Sequence, residues 1–438
     1  MSCAALSVLA VVLSTSWTAA TAVRSSTLLL ARSHSVSPNA GAPVTTWAAS
    51  LAAQSAADAA RVAALAARPA AGARKGRSSV PIAPGRQILS IPSYVARARL
   101  GTPPQALLVA IDPSNDAAWV PCSACAGCAR PPAPSFAPTQ SSTYRPVRCG
   151  SPQCTQAPSP SCPGGAGSPC AFNLTYAAST LQALLGQDAL ALEKDAVASY
   201  TFGCLRVVTG GSLPPQGLVG FGRGPLSFPS QTKDTYGSVF SYCLPSYKSS
   251  NFSGTLKLGP VGQPKKIKTT PLLSNPRRPS LYYVDMIGIR VGGKPVPVPA
   301  SALAFDPATG GGTIVDAGTM FTRLSAPVYA AVREAFRRRV RAPVAAPLGG
   351  FDTCYNVTVS APTVTFVFAG PVAVTLPEEN VMIHSSSGGI ACLAMAAGPP
   401  DGVNAALNVL ASMQQQNHRV LFDVANGRVG FSRELCTA

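Results

Sequence analysis

The sequence has few charged residues, and it lacks the patterns of two large structural classes. Charged residues make up 12% of the chain against 47% hydrophobic ones, so few helices can present a fully solvated face. No stretch beyond the N-terminal segment is long and apolar enough to predict a transmembrane helix. No strand–helix–strand alternation is visible, which argues against a doubly wound parallel sheet.

What the chain has instead is turns and short strands. Gly and Pro number 38 and 42, and from about residue 88 onward short alternating or apolar runs are closed by Gly, Pro, Asn or Ser, as strands are. These runs are 94–100, 106–112, 198–204, 254–258, 281–291, 364–368 and 420–422. A chain of 438 residues is long enough for two lobes of roughly 150 to 200 residues each. We therefore predict a mainly β protein with lobes at 89–270 and 271–438.

The N-terminal segment has the features of a signal peptide. Residues 1–22 carry no charge, contain an apolar run at 6–13 and end on the small-x-small sequence Ala20-Thr21-Ala22, which fits a cleavable export signal. Residues 23–88 are rich in Ala, Ser and Arg, with helical periodicity at 47–68 and a single acid, Asp58. This predicted prosegment is either a basic plug over an acidic cleft, removed by processing, or a disordered linker.

The cysteines support export. Of thirteen, removal of Cys3 with the signal leaves an even number, which fits about six disulfides in an oxidising compartment. Seven form a dense block from Cys122 to Cys170; their Cys-x-x-Cys spacing also suits zinc thiolates, but secretion favours disulfides. Three Asn-x-Ser/Thr sequons, at Asn173, Asn251 and Asn356, are potential glycosylation sites.

The net charge of +18 raises the possibility of a polyanionic partner. The basic residues are mostly scattered, and the densest group, Arg337, Arg338, Arg339 and Arg341, follows the apolar pattern of 329–336 like the solvated end of an amphipathic helix. No aromatic residues are interleaved with these arginines, as nucleic-acid binding would favour. We expect no nucleic-acid partner, and adhesion to an acidic cell-wall polymer stays open.

Two segments repeat one pattern at long separation. Residues 109–115 (VAIDPSN) and 313–319 (TIVDAGT) each deliver an Asp, Asp112 or Asp316, from an apolar strand into a turn of small residues. A single Asp of this kind is ordinarily a turn-capping side chain. Two buried carboxylates brought face to face cannot both ionise cheaply, so they share one proton. One member can then remove a proton from water while the other protonates a peptide carbonyl, which requires no metal or cofactor. Other acids, such as Asp188, Asp306 and Asp352, lack this context and are predicted to be turn or surface residues.

With these motifs, residues 94–436 resemble the pepsin-type aspartic proteases, and among them the plant nepenthesin-like and nucellin-like branch. The resemblance implies a bilobal fold of two β-barrel-like lobes with the active site in the cleft between them. It makes Asp112 and Asp316 catalytic, Asn115 and Thr319 supports of their carboxylates, and Tyr176 of the Leu174-Thr175-Tyr176 strand the flap residue that closes over substrate. Segments 218–220 (LVG) and 409–411 (VLA) resemble those that thread under each catalytic turn. The resemblance also implies bridges between Cys354 and Cys392 and between Cys204 and Cys436, with the cysteine block as the nepenthesin-type insertion.

The two turns depart from the family pattern in one respect. The residue after each catalytic Asp is normally Thr or Ser, whose hydroxyl reaches the opposite turn, but here these positions hold Pro113 and Ala317. The sequence therefore predicts a secreted, extracellular acid endopeptidase of reduced activity, made as a zymogen, that acts on polypeptides as a monomer without a membrane anchor. The alternative is a catalytically weakened relative that binds or inhibits another secreted protein, such as a glycosidase.

Overall fold

The structure is a computed structural model that describes residues 26–32, 55–56, 58–59, 89, 91–129, 134–192, 195–249, 252–370, 372–385, 388–402 and 404–436. The predicted signal peptide 1–22 lies outside these ranges. Within them, no helix has the length and apolarity needed to cross a membrane.

Strands dominate the described residues. They are β1 (Ser26–Arg32), β2 (Tyr94–Leu100), β3 (Gln105–Asp112), β4 (Trp119–Ala126), β5 (Arg145–Pro146), β6 (Pro160–Ser161), β7 (Ala171–Tyr176), β8 (Ser179–Leu192), β9 (Asp195–Thr209), β10 (Leu218–Gly220), β11 (Val239–Cys243), β12 (Gly254–Leu258), β13 (Lys268–Leu273), β14 (Tyr283–Val284), β15 (Met286–Val291), β16 (Lys294–Pro295), β17 (Gly312–Val315), β18 (Thr322–Leu324), β19 (Cys354–Tyr355), β20 (Val364–Phe368), β21 (Val372–Leu376), β22 (Met382–His384), β23 (Ala391–Leu393), β24 (Met395–Ala397), β25 (Leu407–Leu410), β26 (His418–Asp423) and β27 (Arg428–Arg433). The helices are Pro152–Thr155, Phe228–Gln231, Lys233–Tyr236, Ala300–Leu303, Ala326–Val340, Glu378–Val381 and Ser412–Gln415, with a 3₁₀ turn at Pro138–Gln140. Every strand run predicted from the sequence falls in a strand, with the run 281–291 divided between β14 and β15.

The strands form lobes of sheets, as predicted for a mainly β fold. Most belong to one extended sheet, while β16-β15-β20-β21 and β19-β23-β22 form two smaller ones. In β2 and β21 buried and exposed residues alternate, because one face of each strand packs on the core. In β10, β17 and β25 every residue is buried, as in strands covered on both faces.

One strand arrangement occurs twice and carries the repeated Asp motif. Strand β10 runs parallel to β3 and meets β4 in antiparallel pairing at Trp119. Strand β25 likewise runs parallel to β17 and meets β18 in antiparallel pairing at Arg323. The segments 218–220 and 409–411 therefore lie beside the two Asp turns, as the resemblance implied.

Part of the predicted prosegment is a strand of the main sheet. Strand β1 pairs antiparallel with β12, from Ser26 opposite Leu258 to Leu30 opposite Gly254, and its end pairs with β2. Further along, residues 55–56 and 58–59 are helical. These parts of 23–88 thus have defined places on the protein.

Six disulfides join cysteines of the described residues: Cys122–Cys204, Cys125–Cys128, Cys149–Cys162, Cys154–Cys170, Cys243–Cys436 and Cys354–Cys392. The Cys354–Cys392 pair agrees with the resemblance, and the block from Cys122 to Cys170 uses its sulfur atoms in disulfides. The implied pairing of Cys204 with Cys436 is wrong. Parallel pairing of β4 with β9 sets Val120 opposite Cys204 and so brings Cys122 to it, whereas Cys436 follows β27 and reaches Cys243 in β11.

Three acids were predicted to lie in turns or on the surface, and the prediction is wrong for one of them. Asp306 is half-buried and accepts hydrogen bonds within its own turn, and half-buried Asp352 pairs with Arg333 of the helix Ala326–Val340. Asp188 lies in β8 and is buried, where its Oδ1 accepts from the Thr143 hydroxyl at 2.5 Å. The prediction for Asp188 was wrong because the Thr143 hydroxyl, from another segment of the same chain, provides the hydrogen bond that lets this acid be buried in a strand.

An aromatic cluster holds strands of the two halves of the chain together. Strand β11 pairs antiparallel with β26, so that Phe240 lies opposite Phe422. Their rings stack with centroids 4.7 Å apart, and the Tyr282 ring lies 4.5 Å from that of Phe422. Aromatic pairs of this kind add to the free energy gained by burial alone.

We expect Phe240→Ala to lower the free energy of unfolding by about 3–5 kcal/mol, because it removes a buried ring and leaves a cavity. Val261→Ala is the matched control, since Val261 is 59% exposed and its truncation should change stability by less than about 0.5 kcal/mol. Chemical unfolding followed by intrinsic fluorescence measures both. Equal effects of the two substitutions would contradict this role of the cluster.

Candidate active site

The parallel strand pairs place Asp112 and Asp316 at equivalent points. Asp112 is the last residue of β3, and Asp316 directly follows β17. Both side chains are fully buried. The main chain fixes each turn: Phe221 N–H donates to the Asp112 carbonyl at 2.7 Å, and Asp316 N–H donates to the Leu410 carbonyl at 3.0 Å.

Each carboxylate receives a backbone hydrogen bond from the residue two positions further on. Ser114 N–H donates to Asp112 Oδ1 at 3.0 Å, and Gly318 N–H donates to Asp316 Oδ1 at 2.9 Å. Thr319 adds two bonds to Asp316 Oδ2, from its N–H at 3.1 Å and its hydroxyl at 2.6 Å. Thr319 therefore occupies the supporting position that the sequence predicted for it.

A serine hydroxyl connects the two carboxylates. Ser114 Oγ lies 2.9 Å from Asp112 Oδ1 and 3.1 Å from Asp316 Oδ1. A hydroxyl has one proton to donate, so both carboxylates depend on the same donor. Ser114 therefore joins the two buried acids through a single group.

No role for Ser114 was predicted from the sequence. The feature that could have indicated one is that the first turn has a serine where the second turn has Gly318. In the folded protein the Ser114 hydroxyl reaches Asp316 of the other turn. The support predicted from Asn115 stays a prediction: the side chain is buried, and its backbone N–H lies 3.4 Å from the Asp112 carbonyl oxygen.

Pro113 and Ala317 have no side-chain hydroxyl that could reach the opposite turn. Hydrogen bonds of other residues join the two halves of the site. Asp116 Oδ2 accepts from the Ser280 hydroxyl at 2.5 Å while its Oδ1 accepts from Gly224 N–H at 2.7 Å. A Cβ on Gly224 would lie 2.3 Å from Asp116 Oδ2, so this close approach needs glycine. Asp116 and Ser280 were not singled out from the sequence, because their partners are 108 and 164 positions away.

A buried tyrosine lies close to the carboxylate pair. Tyr242 donates from its hydroxyl to Gln415 Oε1, and Gln415 Nε2 donates to the Leu410 carbonyl at 2.7 Å. Burial raises the pKa of Tyr242 well above its usual value, and the negative charge of Asp316 raises it further. Tyr242 is therefore neutral at any working pH and adds no charge to the site.

The predicted flap residue ends a β-hairpin. Tyr176 pairs with Ser179 at the turn between β7 and β8, and its buried ring meets that of Trp119 edge-on at 5.2 Å. Ala177 at the tip has φ of +50°, a left-handed conformation that costs a non-glycine residue about 1–2 kcal/mol. The surrounding structure therefore holds the tip in this conformation.

Two of the three sequons are described. Asn173 lies on β7 and Asn356 follows β19, and both are exposed. Asn251 lies outside the described residues. Glycosylation of these residues stays a prediction.

We expect Thr319→Val to lower the free energy of unfolding at pH 7 by about 1.5–3 kcal/mol, because it removes a buried hydroxyl donor to a carboxylate. Thr309→Val is the matched control: the Thr309 hydroxyl donates to Asp306 Oδ2 at 2.7 Å on the exposed surface. Its loss should cost less than about 0.5 kcal/mol. Urea unfolding of both variants tests the difference, which must vanish if burial of the Asp316 site is unimportant.

Comparison with known proteins gives concordant results. Residues 94–260 match the family model described as Xylanase inhibitor N-terminal, and residues 281–433 match Xylanase inhibitor C-terminal. The chain is 50% identical over 383 residues to Aspartyl protease 25 of Oryza sativa subsp. japonica, covering 83% of this chain and 86% of the relative. It is 48% identical to Aspartyl protease AED3 of Arabidopsis thaliana (82% and 80% covered) and 33% identical to Aspartic proteinase nepenthesin-2 of Nepenthes gracilis (79% and 78%).

Solved structures show the same fold. The crystal structure of edgp superposes with a TM-score of 0.62 at 24% identity, covering 78% of this chain and 92% of that one. Basic 7S globulin from soybean superposes with a TM-score of 0.59 at 23% identity, with the same coverage. The repeated Asp turns, the two-lobed β architecture and the plant relatives agree, and the chain belongs to the plant branch of the pepsin-like aspartic protease family.

Proposed function

We propose that the protein is a secreted endopeptidase that hydrolyses polypeptides at acid pH with Asp112 and Asp316 as its catalytic pair. The observation that carries this proposal is the connection of the two buried carboxylates through Ser114 Oγ, at 2.9 and 3.1 Å. Burying two acids on one hydroxyl is costly. A protein that only binds a partner has no evident need for such a pair.

In the proposed reaction, a polypeptide lies extended in the cleft with a water molecule between Asp112 and Asp316. The ionised carboxylate takes a proton from this water as its oxygen attacks the peptide carbonyl, and the neutral carboxyl donates a proton to the carbonyl oxygen. The resulting gem-diol collapses with transfer of a proton to the departing amine. No acyl-enzyme forms, and the working state is the singly protonated pair.

Other residues have supporting roles in this proposal. Tyr176 closes over the bound substrate at the end of its hairpin, and Asn115 and Thr319 hold the carboxylates. Pro113 and Ala317 leave the turns without their usual hydroxyls, so the rate is lower than that of relatives with both, because small errors of position are costly. The remaining assignments are a signal peptide at 1–22, a prosegment at 23–88 removed from a zymogen, lobes at 89–270 and 271–438, glycans on exposed asparagines, and a monomer in the apoplast or cell wall.

A second function is favoured by one comparison and by the two missing hydroxyls. Both family models that match the chain are described as xylanase inhibitor domains. A weakened relative that binds a secreted glycosidase would use the same fold without turnover. The two functions differ in one measurable property, the cleavage of a polypeptide.

We expect the purified, acid-incubated protein to cleave a denatured protein substrate between pH 3 and 7, with inhibition by pepstatin. Asp112→Asn and Asp316→Asn should each abolish cleavage and leave folding intact, because either amide removes the carboxylic acid chemistry. Asp306→Asn is the control, since Asp306 lies in an exposed turn, and its activity should equal that of the unsubstituted protein. If a correctly folded and processed sample cleaves no substrate, the result favours the second function, binding to a secreted glycosidase, over peptide hydrolysis.

We expect Ser114→Ala to lower kcat by roughly tenfold to a hundredfold, because the pair loses the hydroxyl that holds it in position. It should also narrow the pH range of activity at both limits, since the hydroxyl stabilises the singly protonated pair relative to the doubly protonated and doubly ionised ones. Ser114→Thr keeps a hydroxyl and should recover much of the original pH range of activity. An unchanged pH profile in Ser114→Ala would show that Ser114 does not share the proton.

A further inference from the structure

An acid from the N-terminal segment is buried beside the second catalytic turn. Asp58 is fully buried, and its two carboxylate oxygens accept hydrogen bonds from Met320 N–H at 3.2 Å and Phe321 N–H at 3.0 Å. These amides lie four and five positions after Asp316. Two adjacent backbone N–H groups that point at two oxygens of one carboxylate form the kind of concavity that binds anions.

A buried guanidinium completes this region. Arg323 is only 4% exposed, and its Nη2 donates to the Ser55 carbonyl oxygen at 2.8 Å and to Ser55 Oγ at 2.9 Å. Burial lowers the pKa of Arg323, while the negative charge of Asp58 opposes that shift. A buried cation needs a counter-charge, so loss of the Asp58 segment would leave Arg323 in need of another anion.

The two copies of the strand arrangement differ in the partner of one equivalent residue. Arg323 lies seven positions after Asp316, and Trp119 lies seven positions after Asp112; each is the residue of its strand that meets the crossing strand β25 or β10. The ring of Tyr176 packs against Trp119. Arg323 is instead hydrogen-bonded to Ser55, which belongs to neither copy of the repeated unit.

The surroundings are shaped for this segment. A Cβ on Gly350 would lie 2.4 Å from Ser55 Oγ, so glycine leaves the space that Ser55 fills. Asp58 is also the single acid between residues 23 and 88, in a segment that otherwise carries only basic charges. The carboxylate at this position is therefore matched to the amides and the guanidinium by charge as well as by shape.

We propose that the amides of Met320 and Phe321, together with Arg323, form a carboxylate-binding site that Asp58 occupies as an internal ligand and that an acidic side chain of a polypeptide takes when Asp58 leaves it. The site is separate from the carboxylate pair, and carboxylate binding does not depend on peptide hydrolysis. If the protein is the endopeptidase proposed above, the site gives it a preference for polypeptides with an acidic residue to one side of the cleft. Its net charge of +18 favours the approach of such acidic partners.

The test uses the full chain with Asp58→Ala, which vacates the site, and follows amide hydrogen exchange at Met320 and Phe321 at pH 7. We expect the exchange rate of these two amides to rise by about tenfold or more, because a charge-assisted hydrogen bond is lost from each. Sodium acetate should restore their protection with increasing concentration. Acetamide at equal concentration and sodium chloride at equal ionic strength should not.

Three further variants make the outcome specific. Asp58→Asn keeps the shape of the side chain and loses its charge. It should therefore raise the exchange rate of the Met320 and Phe321 amides although it leaves no cavity. Arg323→Gln combined with Asp58→Ala should remove the acetate effect, and Asp401→Ala, at an exposed acid, should change nothing. Equal action of acetate and acetamide, or no change of exchange in Asp58→Ala, would overturn the carboxylate site.

The polypeptide part of the proposal is tested on the Asp58→Ala chain with two hexapeptides that differ only by a central Glu or Gln. The Glu peptide should protect the Met320 and Phe321 amides at a concentration at least about tenfold lower than the Gln peptide, a difference typical of a charged hydrogen-bond acceptor. Because binding is read from amide protection, the result is independent of whether the protein cleaves peptides. Equal protection by the two peptides would restrict the site to Asp58 alone.

Discussion

The burial of two carboxylates on one serine hydroxyl is the constraint on which the rest of the structure depends. Removing both from water is expensive unless each oxygen is hydrogen-bonded and the charge is shared. The parallel strand pairs β3–β10 and β17–β25 supply rigid ends from which the two turns emerge. Gly220 lets β10 pass close under the first turn, since a Cβ there would lie 2.4 Å from the Asn115 carbonyl oxygen. Packing at this density fixes side chains to the tolerance that paired acids need.

The duplicated unit has diverged in the residues around the acids while its strand pairing has stayed the same. Gly318 leaves the second turn without a side chain where Ser114 places a hydroxyl in the first, and Thr319 provides the hydroxyl that Asn115 lacks. Trp119 packs on an aromatic ring where Arg323 binds the polar residues of another segment. Equivalent backbone positions thus carry one buried aromatic and one buried cationic side chain.

The sequence was sufficient to predict the features that depend on local pattern. Alternating apolar residues and turn residues predicted the strands, and the repeat of an apolar strand ending in Asp predicted that Asp112 and Asp316 occupy equivalent positions. It was insufficient where distant segments meet. The Cys122–Cys204 bridge depends on the register of β4 against β9, the burial of Asp188 depends on Thr143, and the role of Ser114 depends on the distance across the cleft. None of these follows from spacing along the chain, because each requires the folded positions of two segments.

The residues that follow the two Asp side chains, Pro113 and Ala317, carry no hydroxyl, so the two turns are joined by other groups. The Ser114 hydroxyl lies one position further along and contacts both carboxylates directly, and the Ser280 hydroxyl binds Asp116 across the two halves. The tie between the halves therefore includes the acids themselves. Because one hydroxyl contacts both carboxylates, a displacement of either turn changes the hydrogen bonding of both acids. The position of the two turns and the environment of the two carboxylates therefore cannot be altered independently in this protein.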